Sequence, residues 1–282
     1  MPSRSFVVLA EQAQARHDGR VQFRQVLIDA VKPAVDLVYP PRCPLCGTAI
    51  AQQKGLCAPC WSELIIPGEP CCTTCQRPFP ADYSEAAMVC GPCMADPPRH
   101  DGIAAGTLYN HASRALVLSF KHGRRIALSR MLAPLIIAQL PQLEGEWLVV
   151  PVPLHWSRLW YRGFNQAALL AEHIAKATGQ TLLVDGLRRT RRTQPLGGLG
   201  RKGRERMLSG SIRLHPRKSD VMKAAQVILV DDVLTSGATS DACVKALKRG
   251  GAKTVKIACF SRVLDEARGQ NTAMPETKTP EA

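Results

Sequence analysis

Aromatic side chains make up only 5% of this 282-residue chain, and no apolar run is long enough to cross a bilayer. The longest uncharged apolar stretch, Met131 to Leu143, is interrupted by Pro134, Gln139 and Pro141. Near the start, Phe6 to Ala10 is too brief for the core of a signal peptide. These shortages argue against a membrane span and against export, so the expected location is the cytoplasm. A Gly-x4-Gly-Lys-Ser/Thr loop is also missing, and Gly197-Gly198-Leu199-Gly200 lies in a basic stretch rather than after a strand. Nucleoside triphosphatase and dinucleotide readings therefore fall away. Acidic residues are in deficit: 23 Asp and Glu face 37 Lys and Arg, a formal net charge of +14. Polyanions such as nucleic acid or a pyrophosphate compound are the natural partners of such a chain. About half of the excess sits between Arg188 and Arg206, where eight cations are opposed only by Glu205.

Hydrophobic residues at 45% and charged residues at 21% are ordinary for a globular protein, and the length accommodates one α/β core plus a smaller module. Four segments are expected. Residues 1–40 form a leader whose apolar positions from Phe23 to Val38 recur at helical spacing, consistent with a helix docked on the protein's own body. Residues 41–98 turn to Cys, Pro and Gly and read as a small metal-held module. Residues 99–265 alternate helical stretches with short β-branched strands, the rhythm of a parallel α/β sheet. Residues 266–282 are polar and read as a disordered tail.

Four Cys-x-x-Cys pairs carry the metal signal: Cys43/Cys46, Cys57/Cys60, Cys72/Cys75 and Cys90/Cys93. Each pair can set two thiolates on one tight knuckle, and two knuckles complete the tetrahedral sulfur shell that zinc accepts. Eight ligands imply two structural zinc ions, with iron the minor rival. Sequential pairing of the knuckles is the simpler arrangement, and an interleaved one stays open. With every paired thiolate consumed, no open coordination position is expected for metal catalysis. Cys71 reads as a spare, and Cys243 and Cys259 as small buried hydrophobes.

The segment Val227-Ile228-Leu229-Val230-Asp231-Asp232-Val233-Leu234-Thr235-Ser236-Gly237-Ala238-Thr239 is the most specific signal in the chain. Its apolar start predicts a buried central strand, with two acids at the strand end where α/β proteins bind ligands. A small, hydroxylated turn then opens a helix. Thr235, Ser236, Gly237, Ala238 and Thr239 can cradle a phosphate with backbone amides and hydroxyls. Asp231 and Asp232 would repel that phosphate unless they face hydrogen-bond donors, and ribose hydroxyls meet the need. Generic strand-end polarity and a receiver-type phosphoacceptor are the rival readings, and neither suits Thr-Ser-Gly-Ala-Thr.

This stretch resembles the signature of type I phosphoribosyltransferases. The surrounding chain, from about Leu37 to Leu264, resembles the ComF family (ComFC- and GntX-like proteins), which joins a cysteine-rich ribbon to such a domain. The resemblance also rests on Phe120-Lys121-His122-Gly123, on Val150-Pro151-Val152-Pro153, on Arg158, and on Arg162-Gly163-Phe164-Asn165-Gln166. Family members commonly carry Gln and Asn where Leu196 and Met207 stand, a departure in the basic loop that bears on turnover more than on binding. The implied fold is an α/β, type I phosphoribosyltransferase-like parallel sheet with an N-terminal double zinc ribbon. The implied ligand is phosphoribosyl pyrophosphate with magnesium, held mostly by the ligand's own oxygens. The implied reaction is phosphoribosyl (pentosyl) transfer to an acceptor, with Lys121, Arg158, Arg162, Lys202 and Arg204 steadying the departing pyrophosphate. The alternative implied by the same resemblance is single-stranded DNA handling in competence and DNA uptake, a role against which the scarcity of aromatics counts.

Overall fold

The computed structural model describes residues 40–52, 55–82, 88–122, 125–191, 203, 207 and 210–264. The expected leader helix, the tail from 266, and Leu196, Lys202 and Arg204 of the basic loop lie outside the described residues. Contacts divide the chain into two compact units, Met1–Cys57 and Ala58–Ala282.

Five strands form one parallel sheet: β1 (Ile103–Leu108), β2 (Trp147–Pro151), β3 (Thr181–Leu182), β6 (Gln226–Leu234) and β7 (Thr254–Arg262), in the order β1-β7-β6-β2-β3. Between β3 and β6 the chain makes an antiparallel hairpin of β4 (Leu187–Arg189) and β5 (Ile212–Leu214). Central β6 is the strand the sequence singled out, and Val227 to Val230 are all fully buried, as a strand covered on both faces demands. It does not stop at Val230. Pairing with β7 continues to Leu234 opposite Arg262, so Asp231 and Asp232 lie within the strand rather than after it.

The helices that matter for the site are α1 (His111–His122), α2 (Ser129–Ile137), α3 (Trp156–Arg162), α4 (Gln166–Thr178) and α5 (Ala238–Arg249). Asn165 caps α4 by accepting from the Ala167 N–H at 3.1 Å, and Gly179 ends it at φ 68°. Its buried face is Gln166, Ala167, Leu170, Ala171, Ile174 and Ala175. Helix α2 packs closely on β1. A Cβ at Gly106 would meet the Leu135 and Ile136 backbone at 3.1 Å, so only glycine admits the helix at that depth.

The crossover from β2 to β3 runs toward one edge of the sheet and that from β6 to β7 toward the other. The crevice between the ends of β2 and β6 is therefore the topological switch point, where open α/β sheets take their ligands. Val152 N–H donates to Val230 C=O at 2.8 Å, which holds Pro151-Val152-Pro153 beside the acid pair.

Candidate functional site

Past Leu234 the chain turns through Thr235 and Ser236 and enters α5 with Gly237 as its N-cap at φ 76°, ψ −11°. That left-handed conformation strains any L side chain, which is why glycine occupies the position. A Cβ there would meet nothing closer than the Asp241 carboxylate at 3.7 Å, so backbone conformation, not space, is the constraint. Ala238 and Thr239 form the first turn of α5. The opening amides of a helix have no acceptor within it, and twelve residues of aligned peptide dipoles stand behind these. The loop Thr235 to Thr239 is thus a ready anion cradle.

Asp231 and Asp232 differ in environment. Burial, with the neighbouring Asp232 charge next in size, pushes the Asp231 carboxyl up to about 7, against the pull of Lys121, the Asp232 amide and Arg189. Its Oδ1 accepts from Asp232 N–H at 2.8 Å. Asp232 pairs with Lys121, Nζ to Oδ1 3.1 Å, and both side chains are largely shielded. Lys121, chosen from an upstream motif on α1, is thereby brought to the acid pair. Arg158, on α3, lies close enough to Arg189 for its charge to lower that guanidinium's pKa, after burial, the larger cause. Arg162 points instead along the chain, donating from Nη1 to Gln166 Oε1 at 3.3 Å. Gln166 is buried, and its Nε2 has no hydrogen-bond partner among the described residues.

The cysteines form two groups. Cys43, Cys46, Cys57 and Cys60 make one, and Cys72, Cys75, Cys90 and Cys93 the other, with the sulfurs of each within 4.8 Å of one another. That is the sequential arrangement, not the interleaved one. Two thiolates on one tetrahedral zinc, each ~2.3 Å from it, stand roughly 3.8 Å apart. The observed Cys46–Cys57 and Cys75–Cys90 separations of 3.4 and 3.5 Å fit that shell. At Cys72 burial favours the neutral thiol, but the backbone amides of Cys90, Cys75 and Thr74 outweigh it and bring the pKa down to about 6. Cys72 thus leans toward the thiolate, whereas burial raises the thiols of Cys90 and Cys93. Cys71 is a half-buried free thiol, and Cys243 and Cys259 are fully buried in the sheet core.

Two domain families match these two constructions, the double zinc ribbon domain over residues 34–94 and the phosphoribosyl transferase domain over residues 165–278. The chain joins a double zinc ribbon to a phosphoribosyl transferase domain. Among curated proteins it is 28% identical to the DNA utilization protein YhgH of Salmonella typhimurium, over 81% of this chain and 100% of that one. It is also 28% identical to Competence protein F of Haemophilus influenzae, over 77% of this chain and 94% of that one. Competence protein ComFC of Streptococcus pneumoniae is 27% identical, over 71% of this chain and 84% of that one. The ComF resemblance read from the motifs is borne out by these relatives. No helix among the described residues is long and apolar enough to cross a membrane.

Sequence reasoning missed three features of the phosphoribosyl transferase domain. Arg189 was one cation in a basic run, yet β4 sets it within electrostatic reach of Asp231. Gln76, directly after Cys75, reaches into the sheet: its Oε1 accepts from Ala105 N–H at 2.6 Å and its Nε2 donates to Gln139 Oε1 at 3.2 Å. The third is a cavity of about 1100 Å³ running from Thr235–Ala238 along the outer face of α5, past Lys245 and Arg249, to Cys75, Cys90 and Cys93. It touches Thr235 to Ala238 but not the acid pair. The candidate site is the crevice of acids, loop and Lys121, with the cavity as its neighbour. No local pattern announces either the Gln76 contact or the cavity, because both join segments far apart in sequence.

Proposed function

We propose that this chain binds phosphoribosyl pyrophosphate at the switch-point crevice and transfers its phosphoribosyl group to an acceptor. Asp231 and Asp232 accept from the ribose hydroxyls, while Thr235, Ser236, Gly237, Ala238 and Thr239 hold the 5-phosphate. Lys121, Arg158 and Arg162, with Lys202 and Arg204, take the pyrophosphate side. Magnesium, carried by the ligand's oxygens, would neutralise charge on the leaving pyrophosphate. One observation supports the reading: a half-buried acid pair near the end of β6 is followed, after Val233 to Ser236, by a left-handed glycine that opens a twelve-residue helix, so carboxyls able to accept from a diol and amides able to hold a phosphate lie on one short stretch of chain. Structural zinc in the two cysteine clusters and a cytoplasmic location complete the assignment, and reduced thiols suit both.

The test is calorimetric titration with phosphoribosyl pyrophosphate and magnesium, paired with an assay for pyrophosphate release. Losing a charge-assisted hydrogen bond costs ~1.5–3 kcal/mol, so Asp232→Asn, and Asp231→Asn at a pH above about 7 where that carboxyl is ionised, should each weaken binding roughly ten- to hundredfold. Absence of wild-type binding at millimolar ligand would refute the assignment.

A second reading, single-stranded nucleic acid handling, is favoured by the +14 charge and by relatives named for competence and DNA utilization. Cations that neutralise phosphates release counterions, so this binding should weaken steeply as salt rises. Salt-independent affinity would count against it.

A further inference from the structure

The three most exposed large apolar side chains among the described residues share one short helix. On α3, Trp160 is 88% exposed, Tyr161 79% and Trp156 72%. Trp156 and Trp160 stand one turn apart and so lie on one face, with half-exposed Leu159 beside them. Arg158 and Arg162, also one turn apart, occupy the other side, toward Arg189 and Gln166. A surface helix ordinarily turns its apolar face to the core. Here that face looks outward.

The helix keeps its shape without burying the face. His155 caps it, its Nδ1 accepting from Ser157 N–H at 3.3 Å and lying 2.8 Å from Ser157 Oγ. Gly163, at φ 80°, closes it with its N–H on Leu159 C=O at 2.8 Å. The buried His155 ring packs 5.5 Å from the Trp156 ring, tilted 40°. The indoles therefore stand on a fixed support, so their exposure is a built feature.

We infer that α3 is a stacking platform for the bases of single-stranded nucleic acid, an inference that rests on the second reading above. Two indoles and a phenol offer π faces that any base can use, and sequence-tolerant stacking is how single strands are held. Cations for the backbone border this face beyond Tyr161: Arg158 adjoins Arg189 of β4, the strand in which the basic segment begins. Charge selects the occupant. A second copy of this chain would bring +14 against +14, which opposes self-association. A strand of phosphates and bases satisfies the cations and the aromatic face together.

The experiment titrates the full chain with a fluorescent oligo-dT, and also follows the quenching of intrinsic Trp emission. Trp147 is buried but Trp61, beside Cys60, is 48% exposed, so the quenching that persists in Trp61→Phe is the signal that reports on α3. Trp156→Ala and Trp160→Ala should each weaken binding roughly fivefold to a hundredfold with the salt slope unchanged, because stacking and phosphate contacts are separate terms. Trp156→Phe and Trp160→Phe keep a π face and should restore most of the affinity. Zinc content and phosphoribosyl pyrophosphate titration of each variant establish that it is folded. Wild-type binding that the alanine variants retain in full overturns the platform and leaves the nucleic-acid reading standing. No wild-type binding at low salt overturns both. Variants that lose vesicle binding or self-association but not oligo-dT would assign the face to a membrane or to a second copy, and end the proposal.

Discussion

The two cysteine knuckles that open the ribbons are near copies, and they differ at one telling position. In both, the residue after the second cysteine is left-handed and its N–H returns to the first cysteine's C=O: Gly47 to Cys43 at 2.9 Å, Gln76 to Cys72 at 2.7 Å. The first cysteine's N–H closes the loop in the same way, on Thr48 C=O in one and Arg77 C=O in the other, each at 2.8 Å. Gly47, at φ 77°, has open space where a side chain would be. Gln76 takes φ 53° with a full side chain, at a cost of about 1 kcal/mol, and uses it to hold Ala105 and Gln139. Among the described residues the first knuckle makes only a metal site. The second makes a metal site and also a joint to the edge of the sheet.

The largest test of this difference removes one ligand from each cluster. Metal analysis should find two zinc ions in the wild type, and one after either Cys43→Ser or Cys72→Ser. Because metal binding and folding are a single event in so small a module, each change should collapse its own ribbon. Only Cys72→Ser should also lower the melting temperature of the phosphoribosyl transferase domain and weaken phosphoribosyl pyrophosphate binding. Equal losses from both would erase the distinction.

Next in size is Gln76→Gly. It relieves the left-handed strain of about 1 kcal/mol but leaves the buried Ala105 N–H without its acceptor, a loss of ~1–3 kcal/mol, so denaturant unfolding should show net destabilisation of ~1 kcal/mol. Gly47→Ala should cost about 1 kcal/mol through backbone strain, read as weaker zinc retention against a chelator, with sheet stability unmoved.

A pH slope belongs to neither ribbon. Asp231 keeps its proton up to about 7 in the folded chain and releases it near 3.8 when unfolded. Between those values the folded state binds more protons, so stability falls as pH rises toward 7 and then levels. Asp231→Asn should flatten the slope between pH 5.5 and 8, whereas the ribbon variants should keep it. Thermal melts across that range decide the matter.

What could be read from the sequence follows the range of each interaction. The cysteine sets and the loop from Val227 to Thr239 are local, so spacing alone conveys a tetrahedral sulfur shell and a strand, acid pair and cradle in series. Lys121 could be marked by its motif, but its partner Asp232 is supplied by the fold. Arg189 and Gln76 act across long chain separations and leave no periodic trace. The scarcity of aromatics is a chain average, and it did not disclose that Trp156, Trp160 and Tyr161, neighbours in sequence, all stand exposed on one short helix.

The Gln76 contact bears finally on what happens to this protein when metal is withdrawn. In the sheet order β1 is an outer strand, paired only with β7, and Gln76 occupies its outward Ala105 N–H much as a neighbouring strand would. An uncovered edge is a template for intermolecular β-pairing, and proteins blunt such edges with whatever chemistry is at hand. Here the cover is tethered to a thiolate-bound ion. Chelation would therefore act on solubility before it acts on the core, with turbidity that depends on protein concentration and precedes any loss of sheet structure.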